Sequence, residues 1–176
     1  MLAARISPKA QYGLRLLAKL QGRSIAESLE WTINLGLRQT TVGPGVEEAR
    51  LMDVVDLVWQ AETEAQRLLV LHNRAPELMD FDHRSIWQLI KRCDDLWIMH
   101  PYVQEDDING VPMLRPAEPG ETPNNFIPAP NYPLMDEHWE KIKATGIALG
   151  HAGEVTDRYT LEEIVNGDAL ARAGLS

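Results

Sequence analysis

The sequence predicts a mainly α-helical chain in two parts, a basic N-terminal segment of forty residues and a larger acidic helical region. Three observations predict it. Apolar residues recur at helical spacing through most of the chain. Helix-start patterns precede those runs, as in SPKA, SIAE and TLEE. Charge also divides between the parts: residues 1–40 hold six cations against two acids, a net of +4, and the rest hold 11 cations against 24 acids, a net of -13. The chain has 176 residues, 44% of them hydrophobic, enough for one ordinary core or two small ones.

The N-terminal elements follow in order. In Met1 to Ile6, Leu2, Ala4 and Ile6 share one face and Met1, Ala3 and Arg5 the other, the alternation of a short strand. Ser7 then Pro8 starts a helix, with Ser7 as N-cap and Pro8 at the first helical position, where its missing N–H costs nothing. Leu14, Leu17 and Ala18, with Leu16 and Leu20 alongside, form the apolar face and leave Lys9, Arg15 and Lys19 for water or an anion. Gly22 ends this helix. Ser24 starts the next, and Glu27 three residues on completes a capping box. Ile25, Leu29, Ile33 and Leu37 recur every four residues, with Trp31 and Leu35 beside them. That surface is too wide for one partner helix, and a single strand is unstable alone, so the unit calls for a second copy.

The order of strand, helix, Gly-Arg-Ser turn and helix in ARISPKAQYGLRLLAKLQGRSIAESLEWTINLGL resembles the ribbon-helix-helix family of bacterial DNA-binding proteins. The resemblance covers about the first quarter of the chain. It implies a homodimer with the two strands paired, held by Leu2, Ala4, Ile6, Ile25, Leu29, Ile33 and Leu37. It further implies a two-stranded ribbon in the major groove of double-stranded DNA, with Ala3 and Arg5 facing the bases. Gly22, Arg23 and Ser24 would face a phosphate at the second helix start, with Lys9 on the same basic unit. Of the outward strand residues only Arg5 makes good base-edge hydrogen bonds, where the family usually offers two or three polar residues.

Gln39 to Glu48, with two glycines around Pro44, reads as a linker, so the expected division is residues 1–40, a linker at 41–48, and an acidic helical domain at 49–176. Helices are expected over Val46 to Trp59, Ala61 to His72 and Asp82 to Cys93, with a break at Pro76 and Trp97 capping the core. The run VWQAETEAQRLLVLHNRAPELMDFDHRSIWQLIKRCDDLW resembles a group of proteobacterial proteins, without an assigned activity, in which a ribbon-helix-helix segment precedes a small helical domain. Eight of the eleven prolines fall between Pro101 and Pro133, so residues 98–135 read as a long proline-rich loop, pinned by Tyr102, Phe126, Ile127 and Tyr132. Helical spacing returns from Met135 to Leu149, and Thr160 to Glu163 is another capping box before a frayed tail.

Chemistry-bearing patterns are sparse. The five histidines lie in different segments without metal-ligand spacing, and there is no phosphate-binding glycine loop and no GxSxG. Asp80, Asp82 and His83 sit within one turn, but three ligands adjacent at one helix start cannot all converge, and the plainer reading is a carboxylate N-cap with His83 on the surface. Trp59, Trp87, Trp97 and Trp139 suit a core or interface better than a ligand box. Cys93 is the single cysteine, so no intrachain disulfide or multi-cysteine zinc site forms, and a buried, inert thiol is expected.

No metal, cofactor or catalytic residue is therefore expected, and an enzyme is the least expected class. MLAARISPKAQ lacks a long apolar region and a cleavage site, and no run approaches the roughly eighteen apolar residues of a membrane span, so a soluble cytoplasmic protein is expected. The expected function is a homodimeric DNA-binding regulator, a repressor that reads the major groove. The alternative is an antitoxin or protein-interaction module in which the N-terminal unit only dimerises and the acidic domain binds a basic protein partner.

Overall fold

The computed structural model describes residues 5–43, 49–106 and 112–175. Among the described residues it holds nine α-helices and two small antiparallel sheets, so the chain is mainly α. No described helix is long and apolar enough to cross a membrane.

The N-terminal helices follow their local signals. Helix α1 (Pro8–Gln21) starts where the Ser7 side chain accepts the Ala10 N–H at 3.2 Å. It ends at Gly22, whose φ of 64° is left-handed, and the Arg23 N–H closes the turn on the Ala18 carbonyl at 3.0 Å. Helix α2 (Ile25–Gln39) starts with the reciprocal capping box: Ser24 Oγ accepts the Glu27 N–H at 3.2 Å and Glu27 Oε2 accepts the Ser24 N–H at 2.7 Å. Of the expected strand, Met1 to Ala4 lie outside the described residues, and Arg5 and Ile6 are in no strand.

The expected linker is partly structured. Strand β1 (Thr41–Val42) pairs antiparallel with β2 (Ala49–Arg50), Thr41 opposite Arg50 and Val42 opposite Ala49. Val42 is buried in a small cluster with Val54 and Ala75, which anchors the β-branched Thr41–Val42 pair as strand rather than free chain. Because β2 occupies Ala49 and Arg50, helix α3 (Leu51–Gln60) begins later than the apolar spacing from Val46 suggested, and Val46 to Glu48 lie outside the described residues.

The main core lies in the acidic region. Helix α4 (Glu64–Arg74) is capped by Thr63, a short 3-10 turn occupies Pro76–Leu78, and α5 (Phe81–Arg92) is capped by Asp80, which accepts the His83 N–H at 2.8 Å. Leu68, Leu69, Leu89, Ile90 and Cys93 pack there with Met135, Ile142 and Leu149. Trp97 closes the edge as expected: it is half-buried, its Nε1 donates to the Ile90 carbonyl at 3.0 Å, and its ring meets Trp87 edge-on at 6.0 Å.

The proline-rich segment overturns the expected loop. Strand β3 (Trp97–Asp106) is central between β4 (Pro112–Pro116) and β5 (Asn125–Pro130), all antiparallel. Four of the five strand prolines, Pro112, Pro116, Pro128 and Pro130, are on the edge strands, where a missing N–H is tolerated. Helix α6 (Tyr132–Glu137) then starts inside the expected loop, and α7 (Trp139–Ala152) packs along α5.

Helices α8 (Leu161–Asn166) and α9 (Asp168–Arg172) finish the fold, the first with the expected capping box of Thr160 and Glu163. The tail is not frayed over its described part. Gly174, with φ of 72°, turns the chain back so that the Leu175 N–H donates to the Leu170 carbonyl at 2.9 Å, and Leu175 packs on the core.

Candidate nucleic-acid interface

Among the described residues of the first forty, only Ala18 and Ser28 are buried, both small and on the two helices that pack together. Outward lies the apolar surface: Ile25 is 49% exposed, Leu29 40% and Ile33 53%, with Leu37 half-buried and Trp31 and Leu35 exposed. On α1, Tyr12, Leu16 and Leu20 are exposed at spacings of four, and Ile6 is exposed ahead of them. Solvated apolar surface of this extent on a short unit marks an interaction face. Leu2 and Ala4, the other expected interface residues, lie outside the described residues.

The cations of the unit stand in solvent. Arg5, Lys9, Arg15, Lys19 and Arg23 are all exposed, and none of them makes an ion pair among the described residues. Ala3 lies outside the described residues.

The Gly22-Arg23-Ser24 turn has a more specific geometry than its sequence indicates. All three of its backbone N–H groups are already used: Gly22 donates to the Lys19 carbonyl at 3.4 Å, Arg23 to Ala18 at 3.0 Å and Ser24 to Glu27 Oε2 at 2.7 Å. The donors left without an acceptor at the start of α2, among the described residues, are the N–H groups of Ile25 and Ala26. An anion at this helix start would meet those two N–H groups and the Arg23 side chain. It would also meet the Glu27 carboxylate, whose hydrogen bond from the Ser24 backbone holds its pKa below the usual value. The sequence reading at Gly22, Arg23 and Ser24 missed Ile25 and Ala26, although the capping box carried the signal: with Ser24 and Glu27 bonded to each other, the intervening residues keep free donors.

The chemistry-bearing residues of the acidic region are dispersed in plain roles. Asp80 is the N-cap of α5 and lies 2.9 Å from His83 Nδ1, while Asp82 lies 3.2 Å from His151 Nε2. Trp87 and Trp139 are buried and Trp59 is 84% exposed, so the tryptophans do not share one box. Cys93 is fully buried, and burial pushes its thiol up to about 11, which removes the thiolate at neutral pH. Among the described residues no cluster of three or more His, Cys, Asp or Glu could hold a metal ion. No family model, curated protein or solved structure matches the chain.

Proposed function

We propose that the chain is a homodimeric DNA-binding transcription regulator whose N-terminal unit pairs with a second copy and docks on duplex DNA. The observation that carries it is the α1–turn–α2 unit itself: two capped helices with uncovered apolar side chains and exposed cations that make no ion pair among the described residues. A second copy covering Ile25, Leu29 and Ile33 removes three large apolar side chains per chain from water. Each is about half exposed in one chain, so covering the remainder contributes roughly half of the ~1.5–3 kcal/mol for full burial. The strand expected over Met1 to Ile6 would find its ladder partner in the same second copy.

The field supports the same orientation. Residues 1–40 carry +4, the remainder -13, and screening confines each field to about 8–10 Å at physiological salt. Phosphates therefore meet the N-terminal unit and are repelled by the rest. Arg5 would contact bases, and Arg23 with the Ile25 and Ala26 N–H groups would hold a phosphate. The competing reading is an interaction module whose N-terminal unit only dimerises, and the Glu27 carboxylate beside the turn favours it. Arg5→Ala separates the two. It should remove sequence preference on a fluorescent duplex carrying the chain's own upstream DNA while the dimer persists. An unchanged preference would remove Arg5 from base reading.

A further inference from the structure

Two adjoining hollows in the acidic region are left unused by DNA binding. The larger, about 510 Å³, lies between α4, α5 and α7, with Leu68 and Ile86 on its floor and Glu64, Asp80 and Lys143 at its walls. The smaller, about 290 Å³, is an apolar trough between α3 and α4, lined by Val54, Val55, Trp59 and Leu78. Val58, Arg67 and Leu71 line both, so the two form one groove with Arg67 at the junction.

Most of the charge around the junction is already paired. Glu64 accepts from Trp139 Nε1 at 2.8 Å and from Lys143 Nζ at 3.0 Å, and these bonds hold its pKa below the usual value. Lys143 also reaches Glu140 at 3.3 Å, Asp80 is committed to His83, and Asp82 faces His151. Arg67 differs. Its Nε donates to the Ala61 carbonyl at 3.2 Å, which orients the guanidinium, and among the described residues its two terminal nitrogens donate to nothing. An oriented guanidinium with free donors complements a carboxylate. The apolar trough beside it complements a hydrocarbon chain. The flanking carboxylates disfavour a bare anion, so an apolar body must supply much of the affinity.

We propose that this groove binds a medium-chain aliphatic carboxylate, its head on Arg67 and its tail in the trough between α3 and α4. A regulatory consequence rests on the DNA-binding reading above. The Leu51 N–H at the start of α3 donates to the Thr40 carbonyl at the end of α2 at 2.8 Å, so an occupant that moves α3 acts on the dimerising helix.

The test uses the full chain without DNA, so its outcome is independent of the DNA titration. Sodium decanoate, decylamine and 1-decanol are titrated below their micelle concentrations by calorimetry. Decanoate should bind one per chain and more tightly than the other two. It should also shift tryptophan emission to the blue by covering Trp59, a shift that Trp59→Phe removes. Arg67→Gln should weaken decanoate about tenfold or more, as loss of a charge-assisted pair requires. Leu78→Asn, at another exposed side chain, should weaken it through the tail alone. Decylamine binding as tightly as decanoate, unchanged affinity in Arg67→Gln, or no saturable binding of decanoate would overturn the proposal.

Discussion

Gly146 on α7 lies against Ile86 on α5 so closely that a methyl group on its Cα would stand 2.8 Å from the Ile86 Cα. One turn further on, a Cβ at Gly150 would overlap the Ser85 side chain. The two glycines set the distance between two helices that both bury side chains in the main core, and neither contact can be relieved without moving backbone or a buried side chain. Gly146→Ala should therefore destabilise the protein by about 1–3 kcal/mol, the usual cost of overpacking, despite the better helix propensity of alanine. Urea unfolding measures it; a stability equal to or above wild type would mean the helices are free to separate.

Glu64 ties α4 to α7 through Trp139 and Lys143 and has a lowered pKa, the Trp139 hydrogen bond being the larger cause. A depressed folded pKa gives stability that is present above the ordinary carboxylate value of 4.5 and lost as pH falls through the folded value. The carboxylate is largely exposed, so Glu64→Gln should cost less than about 1 kcal/mol at pH 7. The difference from wild type should shrink below pH 4.5 and vanish once the wild-type carboxyl is protonated. Thermal unfolding across pH 3–7 reads both features; a difference that persists in acid would assign the effect to packing.

Cys93 combines complete burial with a thiol pushed up to about 11. It should resist a thiol reagent such as dithionitrobenzoate at pH 8 in the native protein and react at once in denaturant. Rapid native labelling would show that the core around Ile90 and Leu96 opens readily.

Leu29 stands in the exposed stripe of α2, 40% exposed within its own chain. Leu29→Glu should leave the helical circular dichroism nearly unchanged and convert a dimer into a monomer in sedimentation equilibrium. A variant that stays dimeric would place the interface on another surface.

The legible parts of this fold are the local ones. Ser7 with Pro8, Ser24 with Glu27, Asp80, and Thr160 with Glu163 marked helix starts because a cap satisfies donors within three residues. The β4-β3-β5 sheet was hidden because its pairing is set by residues far apart, as in Met99 opposite Pro128 and Gln104 opposite Leu114, and its prolines read locally as loop. The Thr41–Val42 strand was missed for the same reason: its partner is Ala49–Arg50, further along the chain, and its burial depends on Ala75, more than thirty residues away. At the candidate interface the residue types and their spacing were legible, whereas the use of the Gly22, Arg23 and Ser24 donors within the turn is a matter of three-dimensional geometry. The groove at Arg67 left no sequence pattern, because α3, α4, α5 and α7 contribute to it from separate stretches of chain.

The most direct measurement is binding of the purified wild-type protein to its own upstream DNA and to a scrambled duplex of equal length across a salt series. A dimer that docks its basic N-terminal units on phosphates should bind the native duplex more tightly, with log K falling steeply and linearly with log salt as counterions are released. Equal affinity for both duplexes, or no binding at low salt, would contradict DNA recognition and leave the N-terminal unit as a dimerisation element alone.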